Sequence, residues 1–149
     1  MMYKRQTGLT LVELMIVVAV MAIIATVAYP LYTAQVQKSR RADAKVALES
    51  LALAEERYYT IFGDYGTVAE LDDPDGNGNN GDSFIGSALT NLDRDNDGTP
   101  DNYTIAVVAT TTTFSVTATA RGAQSDDTGC ATFTIDQIGN KGGGANCWR

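Results

Sequence analysis

The sequence predicts an α+β fold. One long N-terminal α-helix, transmembrane in its first half and amphipathic in its second, packs on an antiparallel β-sheet head whose C-terminal loop is bounded by two cysteines. Three observations predict it. Residues 14–29 read LMIVVAVMAIIATVAY, with Thr26 the only polar side chain. Beyond them Ala44, Ala47, Leu48, Leu51, Ala54, Tyr58 and Ile61 recur at spacings of three and four, the period of one helix face. Later segments at 103–109, 113–120 and 130–136 are β-rich, and the second alternates cleanly between apolar and polar residues. The 149 residues suffice for one modest domain with an appendage, and 44% hydrophobic against 19% charged residues allows a packed core. The chain contains no histidine. Histidine triads, HExxH zinc sites and imidazole-ligated haem or copper are thereby excluded. Two cysteines cannot build a four-thiolate metal site. The net charge of −7 argues against nucleic-acid binding by the chain as a whole.

The charge is unevenly spread. Residues 61–149 hold thirteen of the acids against four bases, and ten of those acids fall between positions 64 and 101. Residues 1–8 form a short basic leader with Lys4 and Arg5, and from position 9 to 37 the only charge is Glu13. Residues 9–32 make a helix of about 36 Å at 1.5 Å per residue, enough for a hydrocarbon core of about 30 Å. A basic start and small residues at Thr26 and Ala28 would also suit a cleaved secretory signal. Glu13 speaks against that reading. A carboxylate in an apolar helix costs roughly 3 kcal/mol at mid-membrane and less near the end, so it calls for a cationic partner or the headgroup level.

The segment Lys4-Arg5-Gln6-Thr7-Gly8-Leu9-Thr10-Leu11-Val12-Glu13-Leu14 resembles the N-terminal signature of type IV pilins and the related pseudopilins. The resemblance implies that a prepilin peptidase cuts between Gly8 and Leu9 on the cytoplasmic side and methylates the new amino terminus. It also places Pro30 where many family members bend or loosen the helix. Leu9 departs from the phenylalanine usual at the first mature position. The implied assembly has a physical reading of its own. Cleavage frees the α-amine of Leu9, and Glu13 of a neighbouring copy, displaced along the stack, is its obvious partner. In low dielectric the two charges attract strongly, but desolvation offsets much of the gain, so the pair acts as a register device.

Residues 33–62 continue the helix past Pro30, whose missing N–H kinks or loosens it. Lys38, Arg40, Arg41, Asp43, Lys45, Glu49, Glu55, Glu56 and Arg57 are expected mostly on the solvent face. The turn Gly63-Asp64-Tyr65-Gly66 ends the helix. Tyr29, Tyr32, Tyr58, Tyr59 and Phe62 are read as packing aromatics, not as a charge-conducting path. Cations lie on both sides of the apolar run, at Lys4 and Arg5 and at Lys38, Arg40 and Arg41. The processing signature and the cysteines place the head outside the cytoplasm.

The head divides into an acidic loop region, 63–102, and a sheet with its C-terminal region, 103–149. Phe114, Val116, Ala118 and Ala120 share one face of the second strand, and Ala131, Phe133 and Ile135 one face of the third. The threonine run 110–113 is a turn, and the short connections suit an antiparallel meander. Cys130 and Cys147 enclose a loop with Gly139, Gly142, Gly143 and Gly144 that would otherwise fray. Two cysteines in an exported head favour a disulfide, which in the chain-entropy model is worth roughly 3 kcal/mol. The pair is similar to the disulfide-bounded C-terminal region of type IV pilins, which pseudopilins commonly lack.

Asp93, Asp95, Asp97 and Asp101, with Gly98 between, have the spacing of a short calcium loop. The glutamate that would complete an EF-hand is missing, with Thr104 in its place. Asp73, Asp75 and Asn77 form a weaker copy. The bland alternative for both is a solvated acidic loop.

The sequence therefore predicts a structural subunit of a type IV pilus, without enzymatic activity and with no required cofactor. It would be cut after Gly8 and polymerised through its N-terminal helix into an extracellular filament for adhesion, motility or DNA uptake. Its partners would be other pilin subunits, the prepilin peptidase, the inner-membrane assembly machinery and, before assembly, the inner membrane itself. Nucleic acid enters only as a ligand of the whole fibre. Two alternatives are a pseudopilin of a type II secretion system and a membrane-anchored calcium-dependent binding module. A carboxylate-based hydrolase would need a buried acid pair, which this Gly/Asn-rich setting does not promise.

Overall fold

The computed structural model describes residues 10–78, 83–86, 101–144, 147 and 148. Helix α1 runs Leu11–Phe62 and a short helix α2 spans Val68–Asp72. Four strands follow: β1 Tyr103–Ala109, β2 Phe114–Ala120, β3 Thr132–Asp136 and β4 Lys141–Gly143. The chain divides into two compact units, Met1–Val36 and Gln37–Arg149.

In the first unit, Thr10 heads α1: its Oγ1 accepts a hydrogen bond from the backbone N–H of Glu13 at 3.2 Å. Thr-x-x-Glu is the local pattern that satisfies the orphan amides of a helix start, and an acid in the first turn suits the helix dipole. α1 continues unbroken through Pro30, so the expected disturbance at proline does not end the helix. Thr26 and Thr33 turn their hydroxyls back onto the carbonyls of Ile23 and Pro30, at 2.7 and 3.0 Å, which satisfies them without a partner outside the helix.

The second unit is the head. Its four strands lie in the order β1-β2-β3-β4, all neighbours antiparallel. The expected meander is correct for the first three. Register places Val107 opposite Val116 and Val116 opposite Ile135, with Ala118 between Ile105 and Phe133, so one face carries the apolar set. Against it lie Ala44, Leu48, Leu51, Ala54 and Tyr58 of α1, joined by Leu71 of α2 and Ile85. The alanines keep the helix close to the sheet, and each buried leucine adds roughly 2 kcal/mol of apolar transfer energy.

The head departs from expectation in four places. Ile61, expected on the core face, is 64% exposed, because the buried stripe of α1 ends at Tyr58. Glu55, expected in solvent, is fully buried. The third strand begins at Thr132, since residues 122–130 wind into two short 3₁₀ turns, Gly122–Asp126 and Thr128–Cys130. The glycine-rich loop, expected to be flexible, contains β4. There Gly142 and Gly144 are required by space: a Cβ on Gly142 would collide with Thr134 Oγ1, and one on Gly144 with the carbonyl oxygen of Gly129. The glycines let an edge strand lie flush on β3.

Candidate functional site

The first candidate is the exposed N-terminal part of α1. Leu11, Val12, Leu14, Met15, Ile16, Met21, Ile23, Ile24, Val27, Tyr29, Leu31 and Tyr32 are all exposed. The helix is long and apolar enough to cross a membrane. A soluble chain does not leave such a surface uncovered, so it requires lipid or other protein. Glu13 lies in the first turn of this segment and Pro30 at its other end. Gly8 and Leu9, the expected processing residues, fall outside the described residues.

The second is the C-terminal edge of the head. Cys130 and Cys147 are joined in a disulfide, with Cα atoms 5.5 Å apart, as the sequence led us to expect. The bridge ties the end of the second 3₁₀ turn to the segment beyond β4. Trp148 then folds over the sheet, edge-on to Phe133 at 5.7 Å, and its Nε1–H donates to the Gly142 carbonyl at 2.7 Å. Lys141 Nζ sits 4.7 Å from the Trp148 ring and 2.6 Å from Glu49 Oε1 on α1. That ion pair is half-exposed and adds little stability. Reducing the disulfide, or replacing both cysteines by serine, is expected to lower stability by roughly 3 kcal/mol. Thermal melts with and without reductant would measure it.

Within the head lies a third feature, a largely buried polar network that no local sequence pattern announces. The Arg41 guanidinium on α1 makes a two-point contact with Asp127, Nε and Nη2 each 2.5 Å from a carboxylate oxygen. Gln124 Nε2 donates to Asp127 Oδ2 at 2.9 Å and to Tyr103 Oη at 3.1 Å. Tyr103 Oη in turn donates to the Cys130 carbonyl at 3.3 Å. The chain of bonds runs from the helix through β1 to the disulfide. It holds the 3₁₀ connection, where no ladder bonds are available. The hydrogen bond from Arg41 to Asp127 raises the guanidinium pKa further, against a smaller effect of burial. Burial raises that of Tyr103. Arg41 and Asp127 are 86 residues apart, and only their meeting in space marks either one.

The calcium candidates divide. Asp93, Asp95 and Asp97 lie outside the described residues, and Asp101 is exposed just before β1. Asp73, Asp75 and Asn77 are described, and their oxygens are turned inward. Asp73 accepts from the N–H groups of Asn77 and Gly78 at 3.1 and 2.8 Å, and Asp75 from Asn77 N–H at 3.2 Å. This is a self-satisfied Asx turn. Among the described residues no cluster of three acidic or cysteine side chains is placed to hold a metal ion.

An exposed apolar helix, a four-stranded meander and a disulfide-closed edge thus occur in one chain. A family model described as "Type IV minor pilin ComP, DNA uptake sequence receptor" matches residues 30–134. The chain belongs to this type IV pilin family. A second model, the prokaryotic N-terminal methylation motif, matches residues 3–29 of the pilin. The pilin also resembles the high-resolution structure of a type IV pilin from Shewanella oneidensis, with a TM-score of 0.51 and 23% identity. That match covers 76% of this chain and 98% of the other. It shows a shared fold. No curated protein matches the pilin. Members of the family are structural subunits of the pilus.

Proposed function

We propose that this pilin is made as a precursor held in the inner membrane by residues 9–32. It is cut between Gly8 and Leu9, methylated at the new amino terminus, and drawn by its N-terminal helix into an extracellular filament. The observation that carries this reading is the uncovered apolar length of α1 headed by a single carboxylate, Glu13. The methylation motif over residues 3–29 supports the processing step. Dispersion packing between helices, as they leave the bilayer for the fibre, holds the polymer together. The division into leader, spanning helix, head helix, acidic loop and sheet at 1–8, 9–32, 33–62, 63–102 and 103–149 belongs to the same reading.

Of the fibre's roles, adhesion, motility and DNA uptake, the family description favours the last. In this reading DNA is a ligand of the fibre as a whole and not of a single head, whose strongly acidic residues 61–149 repel phosphate. Mass spectrometry of sheared surface fibres tests the proposal. A mature chain starting at methylated Leu9 is the expected result. A chain still starting at Met1, or trimmed near Ala28 and released as a soluble monomer, would overturn it.

Calcium is proposed for the loop of Asp93, Asp95, Asp97 and Asp101 on the strength of its spacing. Millimolar calcium should raise the melting temperature of the detergent-solubilised chain by roughly 5 °C. The double variant Asp95→Ala, Asp97→Ala should show no rise. An unshifted parent chain would retire the idea.

A further inference from the structure

Among the described residues, the core carries one carboxyl with no counter-charge. Glu55 projects from α1 and is fully buried. Its Oε2 accepts a hydrogen bond from the backbone N–H of Gly66 at 3.0 Å, while Oε1 is buried with no partner among the described residues. The bond fastens the connection between α1 and α2 onto the helix. Gly66 is buried there, with the Tyr58 ring about where its Cβ would be met, 3.2 Å away. The groups facing Glu55 are acidic or phenolic: Glu56 and Tyr58 on α1, Tyr65 in the connection and Glu70 on α2. From the sheet comes Phe114, edge-on to Tyr65 at 4.9 Å. Among the described residues no cation pairs with Glu55. The nearby Arg57 guanidinium lies over the Phe84 ring, 5.3 Å from its centroid.

We infer that Glu55 is a pH-sensitive clasp: protonated, it holds the α1–α2 connection closed, and loss of its proton to solvent favours release of residues 63–72 from α1. The chemistry is one-sided. A neutral carboxyl accepts from the Gly66 N–H and leaves only an uncharged O–H unpaired, which costs far less in an apolar pocket than a charge would. A carboxylate there lacks solvent and a cation, and it faces Glu56 and Glu70. Burial is the main cause that pushes the Glu55 pKa to about 7, from 4.5 in water; the Gly66 hydrogen bond pulls the other way, and Glu70 and Glu56 add to the rise. The sign follows. The closed form keeps its proton where the open form has lost it, so closure is fully favoured below about 4.5 and weakens as pH rises towards about 7. Above about 7 both forms are ionised and the dependence levels off. The inference concerns the head alone and does not depend on the processing or assembly reading.

Hydrogen exchange of the backbone amides of residues 63–72 tests it, on the full chain in detergent, corrected for the intrinsic pH dependence of exchange. Protection should fall by up to about tenfold per pH unit between about pH 5 and 7, then reach a plateau. Glu55→Gln, which keeps the acceptor but cannot ionise, should hold protection constant over the same range. The carboxyl carbon shift of Glu55 in the unaltered chain is an independent measure, and its midpoint should lie near 7. PH-independent protection in the parent chain, the same loss in Glu55→Gln, or a midpoint near the ordinary carboxylate value would each overturn the inference.

Discussion

Replacing Glu13 with alanine is expected to leave the chain folded and membrane-inserted while removing it from surface fibres. The carboxylate lies in the first turn of α1, and its backbone N–H is already capped by Thr10 Oγ1 at 3.2 Å. The Glu13 side chain is exposed and contributes nothing to the core of the head. Alanine removes one acid from an apolar segment, which makes residence in the bilayer easier. It also removes the proposed partner of a neighbour's Leu9 amine. Without that pair, helices stacked through apolar surface alone have no preferred register, since one methyl or isobutyl contact is much like the next. Counting fibres by electron microscopy beside the membrane fraction of the variant checks both halves. Normal piliation by Glu13→Ala would remove the register role. Loss of the chain from the membrane as well would mean that Glu13 matters for folding or insertion.

The second large effect is expected inside the head. Asp127→Ala should cost about 3 kcal/mol, because it leaves the Arg41 guanidinium and one Gln124 N–H partly buried and unpartnered. For a domain of this size that is a fall of roughly 10 °C in melting temperature. Removing both charges should be milder: Arg41→Met with Asp127→Leu fills similar volume without leaving a lone ion, so the double variant should recover much of the loss. Melting curves of Arg41→Met, Asp127→Leu and the double variant form the cycle. Additive losses would show that Arg41 and Asp127 act separately and not as one latch between helix and sheet.

Both variants probe features of different legibility. The apolar run, the lone Glu13, the helical spacing from Ala44 to Tyr58 and the alternation of β2 are local patterns, each written within a few turns or a few residues of chain. Local periodicity follows from backbone geometry, 3.6 residues per helical turn and two per strand repeat, so it can be read without knowing what the element will touch. The cysteine pair was also legible, because an exported head with two thiols leaves one pairing. The same logic failed for Glu55. By composition it is one more charge on an amphipathic helix, and its burial depends on Gly66 returning beneath α1 from the following turn.

What the sequence determined by itself was therefore the inventory of elements and the polarity of each: a membrane-length helix, its amphipathic continuation, three strands and a closed C-terminal loop. Only the tertiary structure decided which polar groups are buried, and with whom. Arg41 on α1, Tyr103 on β1 and the pair Gln124 and Asp127 in the 3₁₀ connection come from three places in the chain, and a hydrogen bond carries no trace in sequence when its two ends are distant along it, as Arg41 and Asp127 are by 86 residues. β4 belongs to the same class. A glycine run has high backbone entropy and no side-chain pattern; it becomes a strand here by pairing with β3, where Thr134 leaves no room for a side chain at Gly142.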